Sequence, residues 1–598
     1  MCGIVGYIGT EEATTLLLSG LRELEYRGYD SAGMALNETD GMRNFRAVGK
    51  LDNLLQKVGD YRTQGAVAAI GHTRWATHGK PTEMNAHPHR LTHSAVVHNG
   101  IIENYTQLRQ QVSTGFSSQT DSEVIVHLFE HHLQQGAEPL SAFRAVLNRL
   151  EGAYAILLTT EQAPEKIFFA KQGSPLQVGF NNGCHFASSD AAMLDRCGAA
   201  TYLEDGEWGY ATATELQLFD REESPITPTI HPLPASSLSA QKEGFRFFME
   251  KEIYEQSEVV NSVLMGRLSH QVALEELAPE WLQPFSSVTI CACGTSYHAA
   301  LTASYLLERL CRLPTHVAIA SEFRYRQPVL DPNGLFIVIS QSGETADTLE
   351  ALKLVKRDRI ATLALCNVDN SSMVREADRA ILLRAGIEKG VASTKAFSAQ
   401  VVTLWLLALY WGQIRATLTP EQLTTEIEAM RQIHRVMEVQ PSVHDRLTRL
   451  SKRYLHGHGF FFIGRDIFYP LALEGALKLK EISYLHAEGY PAGEMKHGPI
   501  ALADAELFTI ALMGRSLLYD KISSNVEELS ARDSTIIAIS TDYVELADDL
   551  IQIRPYNHPM LEFFEMLVVV QLLSMEIAIR LGNDVDMPRN LAKSVTVE

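Results

Sequence analysis

The feature that most constrains the fold is an internal repeat in the second half of the chain. VTICACGTSYHAALTASYLLERL (288–310) has the same pattern as GFFFIGRDIFYPLALEGALKL (459–479). Two further pairs follow in the same order: 334–354 with 506–526, and 361–368 with 534–541. Most of these segments combine an apolar strand, a loop containing Gly or Ser, and a helix. Such alternation predicts two tandem α/β units with parallel sheets.

The first half of the chain has a different pattern of apolar and polar residues, and a proline-rich stretch separates it from the repeat. Short apolar or alternating runs predict strands at 2–8, 66–70, 94–98, 153–159, 166–170 and 209–218, with helices at 12–25 and 120–135. This pattern indicates a sheet-rich α+β domain. Residues 222–243, EESPITPTIHPLPASSLSAQKE, contain four prolines and predict an exposed linker. The expected domains are 2–221, 244–432 and 433–583, followed by a terminal segment, 584–598.

Composition excludes several classes of function. The 598 residues are 46% hydrophobic and 21% charged, which is typical of a globular protein. A net charge of −20 disfavours binding to nucleic acid or to a membrane surface. The sequence has neither an apolar run of about 20 residues nor a secretory signal, and its seven cysteines match no disulfide framework or zinc motif. We therefore expect a cytoplasmic protein with reduced thiols.

Cys2 is a candidate nucleophile. If Met1 is removed, Cys2 carries both a thiol and an α-amine, whose pKa of about 7.7–8.0 suits it to take the thiol proton. Taken alone, Cys2 is better explained as a small residue at the start of a strand. Arg74 provides a fork-shaped donor for a carboxylate, and Asn99-Gly100 offers donors to an oxyanion. Asp121 lies where a helix begins, which ordinary capping also explains.

Two loops in the second half have the composition of a phosphate site. CGTS (293–296) and SQSGET (340–345) each follow an apolar strand and open a helix, where hydroxyls and amides can bind phosphate. Capping alone explains one such loop. Two of them, without a Walker or dinucleotide motif, favour a sugar phosphate or another small phosphate ester. Lys478 and Glu481 lie three residues apart on one predicted helix. Their spacing alone favours a solvated ion pair.

Longer motifs resemble known families. MCGIVGYIG (1–9), LEYRGYDSAG (24–33), HTRWATHG (72–79), NAHPH (85–89), VVHNGIIENY (96–105) and TDSE (120–123) resemble the class II glutamine amidotransferase domain. SQSGETADT (340–348), GVASTKAF (390–397) and CGTS resemble the sugar-isomerase (SIS) domain. Over its whole length the chain is similar to the glucosamine-6-phosphate synthase family. The resemblance implies an α+β N-terminal nucleophile (αββα) glutaminase domain followed by two α/β SIS domains with parallel sheets.

In the first domain the resemblance implies that Cys2 attacks the side-chain amide of glutamine. The other implied roles are oxyanion binding by Asn99 and the backbone N–H of Gly100, binding of glutamine by Arg74, Thr77 and Asp121, and gating of an ammonia channel by Trp75. Histidines are frequent around these motifs, but neither an HExxH nor a CxxC pattern accompanies them. Neither a metal nor a cofactor is therefore expected.

In the second half the resemblance implies a fructose 6-phosphate site. The implied sugar-phosphate ligands are Thr295, Ser296, Ser340, Gln341, Ser342, Thr345, Val391 and Ser393. Glu481 would move a proton between C1 and C2 and Lys478 would assist at the sugar oxygens. His497 would act in ring opening at the neighbouring subunit's site of a homodimer. Lys593, in the terminal segment that closes the site, would form an imine with the open-chain sugar.

The expected activity is transfer of ammonia from glutamine to fructose 6-phosphate, giving glucosamine 6-phosphate and glutamate. Two alternatives remain open at this point. A glutaminase of this type can serve another acceptor, as in phosphoribosyl-transfer relatives, although the SIS motifs and Lys593 argue against it. A non-catalytic sugar-phosphate sensor is the second alternative, and the combination of Cys2, Glu481 and Lys593 is hard to explain for a sensor.

Overall fold

The structure, a computed structural model, describes residues 2–65, 67–76, 78–112, 115–189, 192–193, 196–233 and 242–596. The chain divides into two compact units. Unit 1 comprises Met1–Ser239 and Ala592–Glu598, and unit 2 comprises Ala240–Leu591.

Unit 1 is built from strands and a few short helices. Its strands are β1 Gly3–Gly9, β2 Ser31–Glu38, β3 Gly41–Val48, β4 Val67–Arg74, β5 His89–Arg90, β6 Ser94–Ile102, β7 Gly152–Thr160, β8 Ile167–Gln172, β9 Gln177–Phe180, β10 Gly183–Ala187, β11 Ala199–Tyr202, β12 Trp208–Ala211, β13 Leu216–Phe219, β14 Pro225–Ile226 and β15 His231–Pro232. Its α-helices are α1 Ala13–Leu24, α2 Leu51–Val58, α3 Tyr105–Arg109, α4 Glu123–Gln134 and α5 Pro139–Leu147.

The described strands of unit 1 form two antiparallel sheets that pack between helices. The sheet orders are β15-β11-β9-β10-β1-β4-β2-β3 and β14-β13-β12-β8-β7-β6-β5. Successive side chains of β7 pack into different hydrophobic layers, because the side chains of a strand point alternately to its two faces. Leu157 shares the core between the sheets with Ile70 of β4. Ile156 packs on the other face with Phe129 of α4 and Phe143 of α5. This α-β-β-α layering confirms the predicted αββα class.

Several elements of unit 1 differ in detail from the sequence prediction. The strand predicted over 209–218 is a hairpin of β12 and β13. The β2–β3 hairpin and α2 were not predicted. Within the stretch predicted as a linker, β14 pairs with β13 and β15 pairs with β11. Both strands contain proline and lie at sheet edges, where the missing N–H is tolerated. Residues 234–241 of that stretch lie outside the described residues.

Unit 2 alternates strands and helices. Its strands are β16 Ser287–Ala292, β17 Thr315–Ile319, β18 Gly334–Ser340, β19 Ala361–Cys366, β20 Arg379–Leu382, β21 Gly459–Gly464, β22 Ala487–Pro491, β23 Leu507–Met513, β24 Thr535–Ser540 and β25 Asp549–Gln552. Its α-helices are α6 Phe248–Leu264, α7 Pro279–Leu282, α8 Gly294–Leu306, α9 Ala320–Phe323, α10 Ala346–Arg357, α11 Ser372–Glu376, α12 Lys395–Ile414, α13 Pro420–Met430, α14 Ile433–Val436, α15 Pro441–Leu450, α16 Phe468–Ser483, α17 Tyr519–Ser530 and α18 Pro559–Arg580.

The two halves of unit 2 share one topology. Their parallel sheets have the orders β17-β16-β18-β19-β20 and β22-β21-β23-β24-β25. These orders correspond strand for strand, so the predicted internal repeat is confirmed. One hydrophobic core, which includes Trp405 of α12 and Phe563 of α18, joins both halves. Helices α8 and α16, which follow the equivalent strands β16 and β21, also contact each other. Loops from the first half therefore lie close to side chains of α16.

One described helix, α12, is long and apolar enough to cross a membrane by length and composition, with a mean hydropathy of 1.2 over its most apolar window. Within the fold, 89% of that window is buried. Core helices of globular proteins pass the same test, so the helix is weak support for a membrane span.

Candidate active sites

The pairing of β1 with β4 brings Cys2 against the turn that follows β4. Gly3 pairs with Thr73, so the antiparallel register places Cys2 opposite Arg74, the last residue of β4 and the one before Trp75. The backbone N–H of Trp75 donates to Cys2 Sγ at 3.3 Å, and Sγ lies 3.5 Å from the Trp75 carbonyl oxygen. Burial raises the pKa of the Cys2 thiol, which the Trp75 N–H only partly opposes. A nucleophilic role for Cys2 therefore requires a base.

Asn99 is held with its amide nitrogen toward Cys2. Its Nδ2 donates to the carbonyl oxygen of Cys2 at 3.1 Å, and its Oδ1 lies 3.0 Å from Nε2 of His72. Burial lowers the pKa of His72 to about 3, so the imidazole is neutral. Because Oδ1 can only accept, His72 must carry its hydrogen on Nε2. His72, to which the sequence motifs assign no role, thus fixes the orientation of the Asn99 amide and turns its Nδ2 donor toward Cys2.

Gly100 follows Asn99 on β6, and Asp121 lies just before the start of α4. Gly100 has φ +137°, and an added Cβ would lie 1.9 Å from the carbonyl oxygen of Ala153. Only glycine fits this backbone position. Asp121 is buried, and its Oδ2 accepts a hydrogen bond from the backbone N–H of Ile102 at 2.8 Å. The carboxylate is thereby tied to the end of β6, the strand that carries Asn99.

The guanidinium of Arg74 organises the turn after β4. It donates to the carbonyl oxygen of Gly79 at 3.1 Å and to that of Lys80 at 3.5 Å, and it also bonds to the carbonyl of His78. Burial lowers the pKa of Arg74, although nearby Cys2 opposes the shift. The predicted glutamine ligand Thr77 lies outside the described residues. Cys2, Arg74, Trp75, Asn99, Gly100 and Asp121 all belong to unit 1.

In unit 2 the predicted phosphate loops lie at the N-termini of α8 and α10. Ser340 Oγ accepts from the N–H of Gly343 at 3.0 Å and lies 3.0 Å from Thr345 Oγ1. Ser342 Oγ accepts from the N–H of Glu344 at 3.2 Å. The predicted ligand Gln341 lies in the same loop. The hydroxyls are thus ordered around a helix N-terminus of the kind that binds phosphate.

The loop that contains Val391 and Ser393 is organised by a buried carboxylate, Glu388. Glu388 Oε1 accepts from the backbone N–H groups of Thr394 and Ala396, each at 2.9 Å. Its Oε2 accepts from Ser393 Oγ at 3.1 Å. Glu388 lies in a segment without helical or strand periodicity, so the sequence analysis did not find it.

The start of the terminal segment is anchored within unit 2. The carbonyl oxygen of Asp586 accepts from the N–H of Val391 at 3.1 Å. The carboxylate of Asp586 accepts from the N–H groups of Phe248 and Met249, each at 2.9 Å. The start of the terminal segment therefore passes beside the loop that contains Val391 and Ser393, two of the predicted sugar-phosphate ligands.

Lys478 lies at the centre of a buried network between the two halves of unit 2. Its Nζ lies 2.8 Å from Glu481 Oε2, 3.1 Å from Thr295 Oγ1 and 3.4 Å from Glu474 Oε1. Lys478 is completely buried, so the Lys478–Glu481 pair is not a solvated surface pair. Burial alone would lower the pKa of Lys478, but the two carboxylates outweigh it and raise the pKa. Lys478 is therefore a charged donor.

Glu474 and His298 complete this network and were not predicted from sequence. Glu474 Oε1 accepts from Thr295 Oγ1 at 3.1 Å, and Oε2 lies 2.7 Å from His298 Nδ1. The only sequence feature that could have indicated Glu474 is its spacing, which places it on the same face of a helix as Lys478 and Glu481. Ser296, next to Thr295, accepts from Gln400 Nε2 at 3.0 Å.

Two further predicted residues, His497 and Lys593, belong to other segments of the chain. His497 is exposed at the end of the helical turn Ala492–His497. None of the hydrogen bonds described for unit 2 joins His497 to the Lys478 network. Lys593 lies in Ala592–Glu598, which belongs to unit 1.

The fold and these sites define a glutamine amidotransferase joined to a pair of sugar-isomerase domains. The glutamine amidotransferase domain family matches residues 73–195, and the SIS domain family matches residues 282–410 and 457–577. The C-terminal domain of glucosamine-fructose-6-phosphate aminotransferase from Francisella tularensis superimposes with a TM-score of 0.56 at 39% identity. That match covers 58% of this chain and all of the other.

Relatives that match over the full length of the chain identify one family within this class. The isomerizing glutamine–fructose-6-phosphate aminotransferase of Campylobacter jejuni is 56% identical over 609 aligned positions, and that of Helicobacter pylori is 50% identical over 602. Both alignments cover 100% of each chain. The chain belongs to the family of isomerizing glutamine–fructose-6-phosphate aminotransferases.

Proposed function

We propose that this chain transfers the amide nitrogen of glutamine to fructose 6-phosphate and isomerises the product to glucosamine 6-phosphate, releasing glutamate. The observation that carries the proposal is that this one chain matches both the glutamine amidotransferase domain family and the SIS domain family, and is 56% identical over its whole length to an isomerizing glutamine–fructose-6-phosphate aminotransferase.

In the glutaminase half, the Cys2 thiol attacks the side-chain amide carbon. The thiol pKa is raised, so the α-amine freed by removal of Met1 takes the thiol proton. Asn99 Nδ2 and the N–H of Gly100 stabilise the tetrahedral oxyanion. The orientation of Asn99 by His72 supports this assignment.

Recognition of glutamine in this half uses charges of both signs. Arg74 and Thr77 bind the α-carboxylate, and Asp121 binds the α-ammonium. Trp75, which contacts the Cys2 sulfur through its backbone, gates the passage of ammonia.

In the isomerase half, hydroxyls and amides bind the phosphate and sugar oxygens. The proposed ligands are Thr295, Ser296, Ser340, Gln341, Ser342, Thr345, Val391 and Ser393. The loops that carry the first six of these residues lie at the N-termini of α8 and α10, which reconciles an anionic substrate with a chain of net charge −20.

The two lysines have different roles. Lys478 is held charged by two carboxylates, so its ammonium donates to sugar oxygens and does not add to a carbonyl. Lys593 is the amine that condenses with the open-chain ketose. Glu481 then moves a proton between C1 and C2, and His497 of a second subunit assists ring opening. Because His497 acts in the site of a second subunit, these roles imply a homodimer. We also propose that the protein acts in the cytoplasm.

The domain boundaries follow from the same assignment. We place the glutaminase domain at 2–221, the linker at 222–243, the SIS domains at 244–432 and 433–583, and the closing segment at 584–598. The anchoring of Asp586 beside the Val391 loop supports a closing role for that segment.

Two variants separate the halves of this proposal. Cys2→Ala abolishes glutamate formation from glutamine, because no nucleophile remains, while binding of fructose 6-phosphate persists. Lys593→Ala abolishes glucosamine 6-phosphate formation but retains sugar binding. Calorimetric titration with fructose 6-phosphate and product assays check both results. Glutamate release by Cys2→Ala contradicts the nucleophile assignment, and normal synthesis by Lys593→Ala contradicts the imine.

A further inference from the structure

Glu474 is a completely buried carboxylate at the junction of the two halves of unit 2. Its neighbour Lys478 is one turn further along α16, and Glu481 is almost one turn beyond that. The partners of Glu474 on the other side, Thr295 and His298, come from α8. Both carboxylate oxygens are used: Oε1 by the Thr295 hydroxyl and the Lys478 ammonium, and Oε2 by His298 Nδ1.

A buried charge is retained only where partners compensate its loss of hydration. Glu474 has such partners, and each of them connects it to a group of the sugar site. Thr295 donates to Glu474 and accepts from Lys478 Nζ, so the three groups form a closed triangle. This arrangement leaves little freedom for the Lys478 ammonium, whose remaining contact is Glu481.

We propose that Glu474, oriented by His298, is a positioning residue of the isomerase site that fixes the Lys478 ammonium beside Glu481. The inference rests on the proposed function, because it assigns a role within the sugar half of that reaction. His298 acts through Glu474: its Nδ1 contact keeps Oε2 occupied and leaves Oε1 facing Thr295 and Lys478.

Three variants test the proposal. Glu474→Gln keeps the size of the side chain and removes the charge. His298→Asn keeps a donor near the position of Nδ1, and His298→Ala removes it. Glu562→Gln is the matched control, because Glu562 is also a completely buried carboxylate of unit 2, on α18, and its main described partner is Ser516.

The measurements are kcat and KM for glucosamine 6-phosphate formation, with glutamine hydrolysis as the internal control of unit 1. Glu474→Gln is expected to lower kcat by about 10²-fold with little change in the KM for fructose 6-phosphate.

The histidine variants keep the test decisive if Glu474→Gln does not fold. His298→Ala is expected to lower kcat by about 10-fold with glutamine hydrolysis unchanged, and His298→Asn to restore most of it. Wild-type kcat in Glu474→Gln, or in His298→Ala, overturns the inference. An equal loss in Glu562→Gln also overturns it, as a general cost of removing a buried carboxylate. Absence of glucosamine 6-phosphate with the wild-type chain overturns the proposed function itself.

Discussion

The substitution Gly100→Ala tests the proposed oxyanion site through the backbone. Gly100 follows Asn99 on β6 and has φ +137°, a conformation that L-residues rarely adopt. The added Cβ would lie 1.9 Å from the carbonyl oxygen of Ala153, and real Cβ contacts are not closer than 3.0 Å. The two strands must therefore move apart locally by about 1 Å, and Asn99 moves with them.

The expected cost follows from this displacement. A misplacement of about 1 Å in a catalytic arrangement costs on the order of 10²-fold in rate. That loss corresponds to about 2.7 kcal/mol of transition-state stabilisation. We therefore expect Gly100→Ala to hydrolyse glutamine about 100-fold more slowly than the wild-type chain, while the isomerase half in unit 2 still binds fructose 6-phosphate.

The assay is steady-state release of glutamate from glutamine, with circular dichroism to verify the fold. Gly115→Ala is the matched control, because Gly115 belongs to the same unit and an added Cβ there meets nothing within 4 Å. Wild-type glutaminase activity in Gly100→Ala refutes the reasoning. An equal loss in Gly115→Ala refutes it as well, because the effect would then be unrelated to the oxyanion site.

Two further predictions concern buried carboxylates of unit 2. Burial raises the pKa of Glu576, but hydrogen bonds from His444 and Arg246 outweigh it and lower the pKa to about 2, from 4.5. Glu576→Gln should thus lower the free energy of unfolding by about 3 kcal/mol at pH 7, a difference present above pH 4.5 and lost as pH falls toward 2. Thermal unfolding of both proteins at pH 7 and pH 3 checks this, and an equal difference at both pH values contradicts it. Glu388→Gln should raise the KM for fructose 6-phosphate by about 10-fold without changing glutamine hydrolysis, because the anchor of Ser393 is weakened. Initial-rate kinetics check it, and an unchanged KM contradicts it.

Local sequence patterns predicted much of the fold. The repeat of strand, loop and helix predicted the two parallel sheets of unit 2, because buried parallel strands form continuous apolar runs. The hairpin of β2 and β3 was missed, since its second strand, GMRNFRAV, mixes charged and apolar residues without regular alternation. The segment 209–218 was predicted as one strand because the turn between Ala211 and Leu216 was missed. The residues of this turn lack a strong turn signal.

The candidate site was predictable where residues lie in motifs. Cys2 and Asn99 stand in such motifs, but their contact depends on pairing between distant strands. Glu474 and His298 were missed because burial, which distinguishes a surface ion pair from a buried network, depends on the packing of α16 against α8. His72 was missed for a similar reason: its role depends on which atom of Asn99 it contacts.

The most direct test of the central claim follows the nitrogen atom. The purified chain is incubated with fructose 6-phosphate and glutamine labelled with ¹⁵N in the amide, in a buffer that contains unlabelled ammonium. We predict equal amounts of glutamate and glucosamine 6-phosphate, with ¹⁵N in the amino group of the sugar. Glutamate without an amino sugar, or an amino sugar that carries the unlabelled nitrogen of the buffer, would contradict the account.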